Sequence, residues 1–133
     1  MRNEILIRGR LPGLNELIHE NRRTPYAGAK LKRETEENIL WQLKPQIAGG
    51  YCRRPSGPVT LRIEWHERTR RRDLDNIFSG KKFLLDALQT AGILEGDGQK
   101  HVCGLQDEFI LDKEDYIRIQ LIEREEQEPV REK

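Results

Sequence analysis

Hydrophobic and polar positions alternate most cleanly over residues 59–66, where Val59, Leu61, Ile63 and Trp65 are separated by Thr60, Arg62, Glu64 and His66. A two-residue period puts one set on each face of an extended chain, so the segment predicts a half-buried strand. Glu4–Arg8 carries a shorter version of the pattern and predicts a first strand. His101–Ile110 and Asp115–Glu123 predict two more, joined as a hairpin through Asp112–Glu114. Helical spacing occurs twice. Thr24-Pro25 reads as an N-cap followed by proline at the first helical position, opening a helix that buries Leu31, Ile39, Leu40 and Leu43 and ends near Pro45. A second helix is expected from about Asn76 to Thr90, with Ile77, Leu84, Leu88 and Ala91 in register and Gly92 at its C-cap. Residues 9–24, with Gly9, Pro12, Gly13 and Asn15, read as a long loop.

These elements predict an α+β fold, a small mixed sheet with two main helices packed on it. They form one domain over residues 1–123, followed by a charged tail over 124–133. At 133 residues the chain is long enough to bury a core without staples. The N-terminal residues hold no apolar run suited to a signal peptide or membrane span. Cys52 and Cys103 form no CxxC pair, which suits a reducing, cytoplasmic setting. Net charge is only +1, yet it is unevenly spread: residues 1–72 hold 16 Lys/Arg against 8 Asp/Glu, and residues 73–133 hold 8 against 15. A basic half can face a polyanion while an acidic half supplies metal ligands, although a solvated surface with chance asymmetry would look the same.

The chemistry concentrates after the central strand, in Arg70-Arg71-Arg72-Asp73-Leu74-Asp75-Asn76. Carboxylates at i and i+2 lie about 200° apart on a helix but on one side of an extended segment, which would turn Leu74 into the core. Two such like charges repel unless a cation compensates, and Mg²⁺ suits an all-oxygen site that keeps some water. A plainer reading makes one of the two aspartates a helix cap. Three adjacent arginines have no place in that account.

Arg71-Arg72-Asp73-Leu74-Asp75-Asn76, followed by Leu85-Asp86-Ala87-Leu88, Ala91-Gly92-Ile93-Leu94 and Asp97, resembles the signature block of RusA-type Holliday-junction resolvases. The block covers about a quarter of the chain. The resemblance implies a Mg²⁺-dependent endodeoxyribonuclease, with Mn²⁺ as a substitute metal, acting as a homodimer on four-way or otherwise branched DNA. It assigns metal binding and cleavage to Asp73, Asp75 and Asp97; within the Glu95-Gly96-Asp97-Gly98 turn itself, Glu95 is the substitute candidate should Asp97 point away. It also implies a functional lysine on the helix, but the common form places it where Ser79 stands here. Alignment from Asp86 gives Lys82, whereas the apolar helix stripe gives Lys81. Lys82 also suits an ordinary pair with Asp86 at i+4.

Phosphate contacts need Lys and Arg. The candidates are Arg68, Arg70, Arg71 and Arg72 beside the aspartates, and Arg22, Arg23 and Lys30 further upstream. No nucleotide cofactor is expected, since neither a P-loop nor a GxGxxG turn is present. His101-x-Cys103 offers two ligands, too few for a zinc site. Two other readings fit the same residues: a non-catalytic branched-DNA-binding protein on this fold, and a nuclease acting on flaps or duplex. Fold alone does not choose among them.

Overall fold

A computed structural model of the chain describes residues 3–124; the expected tail beyond Arg124 lies outside them. In chain order the elements are β1 (Glu4–Arg8), α1 (Leu14–Arg23), α2 (Pro25–Ala48), β2 (Val59–Glu67), α3 (Leu74–Phe78), α4 (Lys81–Thr90), β3 (Val102–Leu111) and β4 (Tyr116–Glu123). They make the expected α+β fold, with a four-stranded mixed sheet in the order β1-β4-β2-β3.

The strand with the strongest alternation takes a central place. Val59, Leu61, Ile63 and Trp65 are all buried, and so are Thr60 and His66 on the other face. Between them on that face Arg62 is exposed and Glu64 half-buried, so the outer side is covered only toward the strand's ends. β2 pairs antiparallel with β4 and parallel with β3. The expected hairpin between the last two strands is therefore absent. β3 and β4 flank β2 instead, and their link crosses the end of β2, where Asp112 N donates to Glu67 O at 3.0 Å. The β2-α3-α4-β3 stretch becomes a parallel crossover carrying both helices onto the inner sheet face. There Ile39 and Leu43 from α2, Ile77 from α3, and Phe83, Leu84, Ala87 and Leu88 from α4 meet Ile5, Ile7, Ile117, Ile119 and Leu121 in one core.

Three helix boundaries differ from the sequence pattern. Residues 14–23 are helical rather than loop. Gly13 stands at the N-cap without a capping side chain of its own, and Glu16 supplies the reciprocal bond by accepting from Gly13 N at 2.8 Å. The next helix runs through Pro45 to Ala48. Pro45 lies in its last turns, beside exposed Trp41, where water can take up the carbonyl left without an N–H. The helix expected from Asn76 starts at Leu74 and breaks at Ser79-Gly80, giving α3 and α4. Gly80 is buried against Leu11 and Pro12. Past α4, Gly92 takes φ of 79°, with Gly92 N bonded to Gln89 O and Ile93 N to Leu88 O, the cap expected there.

The outer edge of β1 is covered by side chains rather than by a strand. Gln46 accepts from Leu6 N at 2.9 Å and donates to Leu6 O at 2.7 Å. Gln42 does the same for Arg8, at 2.7 and 3.2 Å. One helix turn thus imitates a partner strand and closes an edge that would otherwise invite pairing. No helix among the described residues is long and apolar enough to cross a membrane.

Candidate functional site

Asp73 and Asp75 sit where β2 gives way to α3. Asp73 is extended, at φ −65° and ψ 149°, and Leu74 already begins the helix. The two carboxylates therefore share the opening turn of a helix, not one side of a strand. Leu74, expected in the core, is 52 % exposed. The inward positions are taken by polar residues on either side, Arg72 and Asn76.

Arg72 has a side chain only 10 % exposed, paired with Glu67 at 4 %. Its guanidinium also donates to Leu11 O at 2.9 Å and approaches Glu16 Oε1 at 3.5 Å. Arg72 thus ties the acidic turn to the chain after β1, and its expected place among the exposed DNA contacts is corrected. Asn76 accepts from Asn15 N at 2.9 Å and donates to Glu16 Oε2 at 3.4 Å. Ser79 Oγ accepts from Leu14 N at 2.7 Å and donates to Asn76 O at 2.6 Å. The first N–H groups of α1, which no intrahelical carbonyl can satisfy, are capped by side chains of α3 and its C-cap. Burial opposes ionisation of Glu16. Hydrogen bonds from its own and Gly13's N–H, then the Arg72 charge, still hold its carboxyl below the usual range.

This docking needs a bare backbone at Gly13. A Cβ there would lie 2.2 Å from Asn76 O and 2.4 Å from Asn76 Oδ1. Gly13→Ala is expected to cost about 3 kcal/mol, the upper end for overpacking, read as a lower urea midpoint with unchanged slope. A midpoint equal to that of the unaltered chain would show that α1 docks otherwise.

Held between those anchors, Asp73 and Asp75 are exposed. Asp73 stands at the N-cap of α3, the place the plainer reading gives it, but makes no side-chain cap bond there. Asp75 Oδ1 accepts from Asn76 N at 2.9 Å. Neither forms an ion pair among the described residues. Beside them, Arg70 and Arg71 are exposed and likewise without an ion pair. A groove of about 550 Å³ opens here, lined by Arg71, Asp73, Asn76, Glu16, His19 and Leu31 among others. His19 and Glu16 carried no functional signal in the sequence. The only cue was a glutamate three residues after Gly13.

The remaining candidates gather on α4. Lys82 pairs with Asp86 at 3.0 Å, the ordinary i+4 pair, and also with Asp97 at 3.4 Å. The hydrogen bond and charge of Asp86, and then those of Asp97, push the ammonium above its ordinary range and favour its charged form. Lys81 turns inward to Asp107, which also accepts from Trp65 Nε1 at 2.9 Å. Of the two lysines, Lys82 is the one placed beside Asp97. Glu95, the substitute carboxylate, is paired with Arg54. Among the other expected DNA contacts, Arg68 pairs with Asp115, Arg23 with Glu20 and Lys30 with Glu34. Arg22 is exposed.

Among the described residues no group of three or more His, Cys, Asp or Glu side chains is arranged to hold a metal ion. Asp97 stands with Lys82 and does not join Asp73 and Asp75 in one cage. Asp73 and Asp75 remain the exposed carboxylates of the acidic turn, one at the N-cap of α3 and one in its first turn; Mg²⁺ typically takes one or two carboxylates together with substrate phosphates and water. No protein-family model matches the chain, and no curated protein matches it significantly.

Proposed function

We propose that this chain is a Mg²⁺-dependent endodeoxyribonuclease of the RusA junction-resolvase kind, nicking branched DNA in the cytoplasm as a homodimer. The observation that carries the reading is the pair Asp73 and Asp75. They are exposed, unneutralised and anchored on both sides by Arg72 and Asn76, with Arg70 and Arg71 free beside them. Two uncompensated carboxylates two residues apart are unfavourable in isolation, and a divalent cation removes that cost.

In this reading Asp73 and Asp75 would hold the metal, which when bound lowers the pKa of water and neutralises charge at the scissile phosphate. Arg70 and Arg71 bind flanking phosphates and set the strand's position. Lys82, protonated between Asp86 and Asp97, would bring its charge to the phosphate by leaving these exposed partners. Four-way junctions have twofold-related strands, so paired nicks call for two copies of the site.

A second reading, a branched-DNA-binding protein without catalysis, draws on one observation: the Asp97 carboxylate is already matched by Lys82. Incubation with a synthetic four-way junction, a flap and a linear duplex separates the readings. The expected result is symmetric nicking of the junction with Mg²⁺ or Mn²⁺, abolished by a chelator. Preferential cutting of the flap or duplex would move the substrate while keeping the chemistry. Tight junction binding without a nick under either metal would instead establish the non-catalytic reading.

A further inference from the structure

The loop that carries Asp97 borders a second hollow, away from the acidic turn. The 54–57 turn, Ile93–Glu95, Lys100 and His101 enclose about 220 Å³. That is below the usual size of a small-molecule pocket and suits one small anion with some water. Its walls are fixed from outside. Ser56 donates through N and Oγ to Glu123 at 3.0 and 3.2 Å. Val59 N bonds His101 O at 3.0 Å, and Arg124 N bonds Pro58 O at 3.0 Å. Gly96 lies close over the imidazole, where a Cβ would come 3.1 Å from His101 Cδ2.

The donors facing this space are Arg54, Lys100 and His101. Lys100 is exposed and has no ion pair among the described residues. The only acidic lining residue is Glu95, paired with Arg54, and these side chains are 61 % and 52 % exposed. An ion pair so exposed contributes little and exchanges readily for a competing anion. Two cations, an imidazole N–H and one exchangeable carboxylate describe a place for a singly or doubly charged oxyanion.

We infer that this hollow binds a backbone phosphate of the DNA strand, held by Arg54 and Lys100 with His101, next to the Asp97 loop. The inference rests on the nuclease reading and adds contacts that the arginine-rich link does not supply. On binding, the phosphate displaces Glu95 from Arg54. The subsite reads no bases and serves to fix the register of the strand.

The test is anisotropy of a labelled four-way junction in Ca²⁺, between about 50 and 200 mM salt. R54Q/K100Q is expected to bind roughly tenfold more weakly, with a salt slope shallower by about one to two. R54K/K100R, which keeps the charge, is expected to bind like the unaltered chain. Glu95→Gln, which frees Arg54 without touching the core, is expected to tighten binding a few-fold. Unchanged affinity and slope in both R54Q/K100Q and Glu95→Gln would overturn the subsite while leaving the nuclease reading standing. An unaltered chain that binds no DNA at any salt would overturn that reading, and the subsite with it.

Discussion

Asparagine in place of Asp75 is expected to abolish junction cleavage while leaving junction binding intact or tighter. The substitution removes a charge without removing a contact, because the asparagine oxygen can still accept from Asn76 N, now at 2.9 Å. Loss of one carboxylate from a two-carboxylate site removes several kcal/mol of stabilisation at the scissile phosphate. At about 1.4 kcal/mol per decade, that is roughly a thousandfold in single-turnover rate. Binding moves the other way, since one fewer negative charge stands near the phosphates. Asp73→Asn is expected to behave alike. Cleavage at the unaltered rate in either variant would remove these aspartates from the chemistry. Asp97→Asn is the informative companion. If Asp97 closes onto a shared ion when DNA arrives, its loss matches that of Asp75 and raises the Mg²⁺ concentration needed. If it only holds Lys82, the Mg²⁺ dependence stays put and DNA affinity rises.

Periodicity made much of the fold legible. The alternation from Val59 to Trp65 located the central strand, and Glu4–Arg8 located its shorter counterpart. The Thr24-Pro25 signal holds, with Thr24 Oγ1 accepting from Ala27 N at 2.9 Å. What escaped the pattern depends on distant residues. α1 was hidden because its N-cap is a glycine and its first amides are satisfied by Asn76 and Ser79, about sixty positions later. Sequence adjacency suggested a hairpin for the last two strands. β2 lies between them instead, its inner positions all buried and its outer ones covered at Thr60 and His66 but not at Arg62.

The acidic turn divides in the same way. That Asp73 and Asp75 lie beside arginines was readable from the sequence, whereas the extended geometry inferred from their spacing was not kept, because the helix begins at Leu74 and leaves it exposed. Which arginine turns inward was not readable, because the four arginines from Arg68 to Arg72 carry the same side chain and differ only in what they meet. Arg72 finds Glu67, the last residue of β2, which the strand's direction has already buried.

Removal of that guanidinium carries the second large expected effect. Arg72→Ala leaves the Glu67 carboxylate, 4 % exposed, without its partner. It also takes the 2.9 Å donor from Leu11 O. Breaking a buried pair from one side typically costs about 3–5 kcal/mol, because the remaining charge has neither water nor a counterion. A chain of this size is stable by only about 5–15 kcal/mol, so the variant is expected to unfold at a much lower urea midpoint. Glu67→Gln/Arg72→Met removes both charges and is expected to recover most of the loss. Full stability in Arg72→Ala, with weaker DNA binding as its only defect, would return Arg72 to the DNA surface. Recovery in the double variant, with cleavage still impaired, would instead identify the pair as what aims Asp73 and Asp75. That outcome is expected, because Arg72 is bonded on one side to the end of β2 and on the other to the start of α1, and the carboxylates hang from the turn between Arg72 and Asn76.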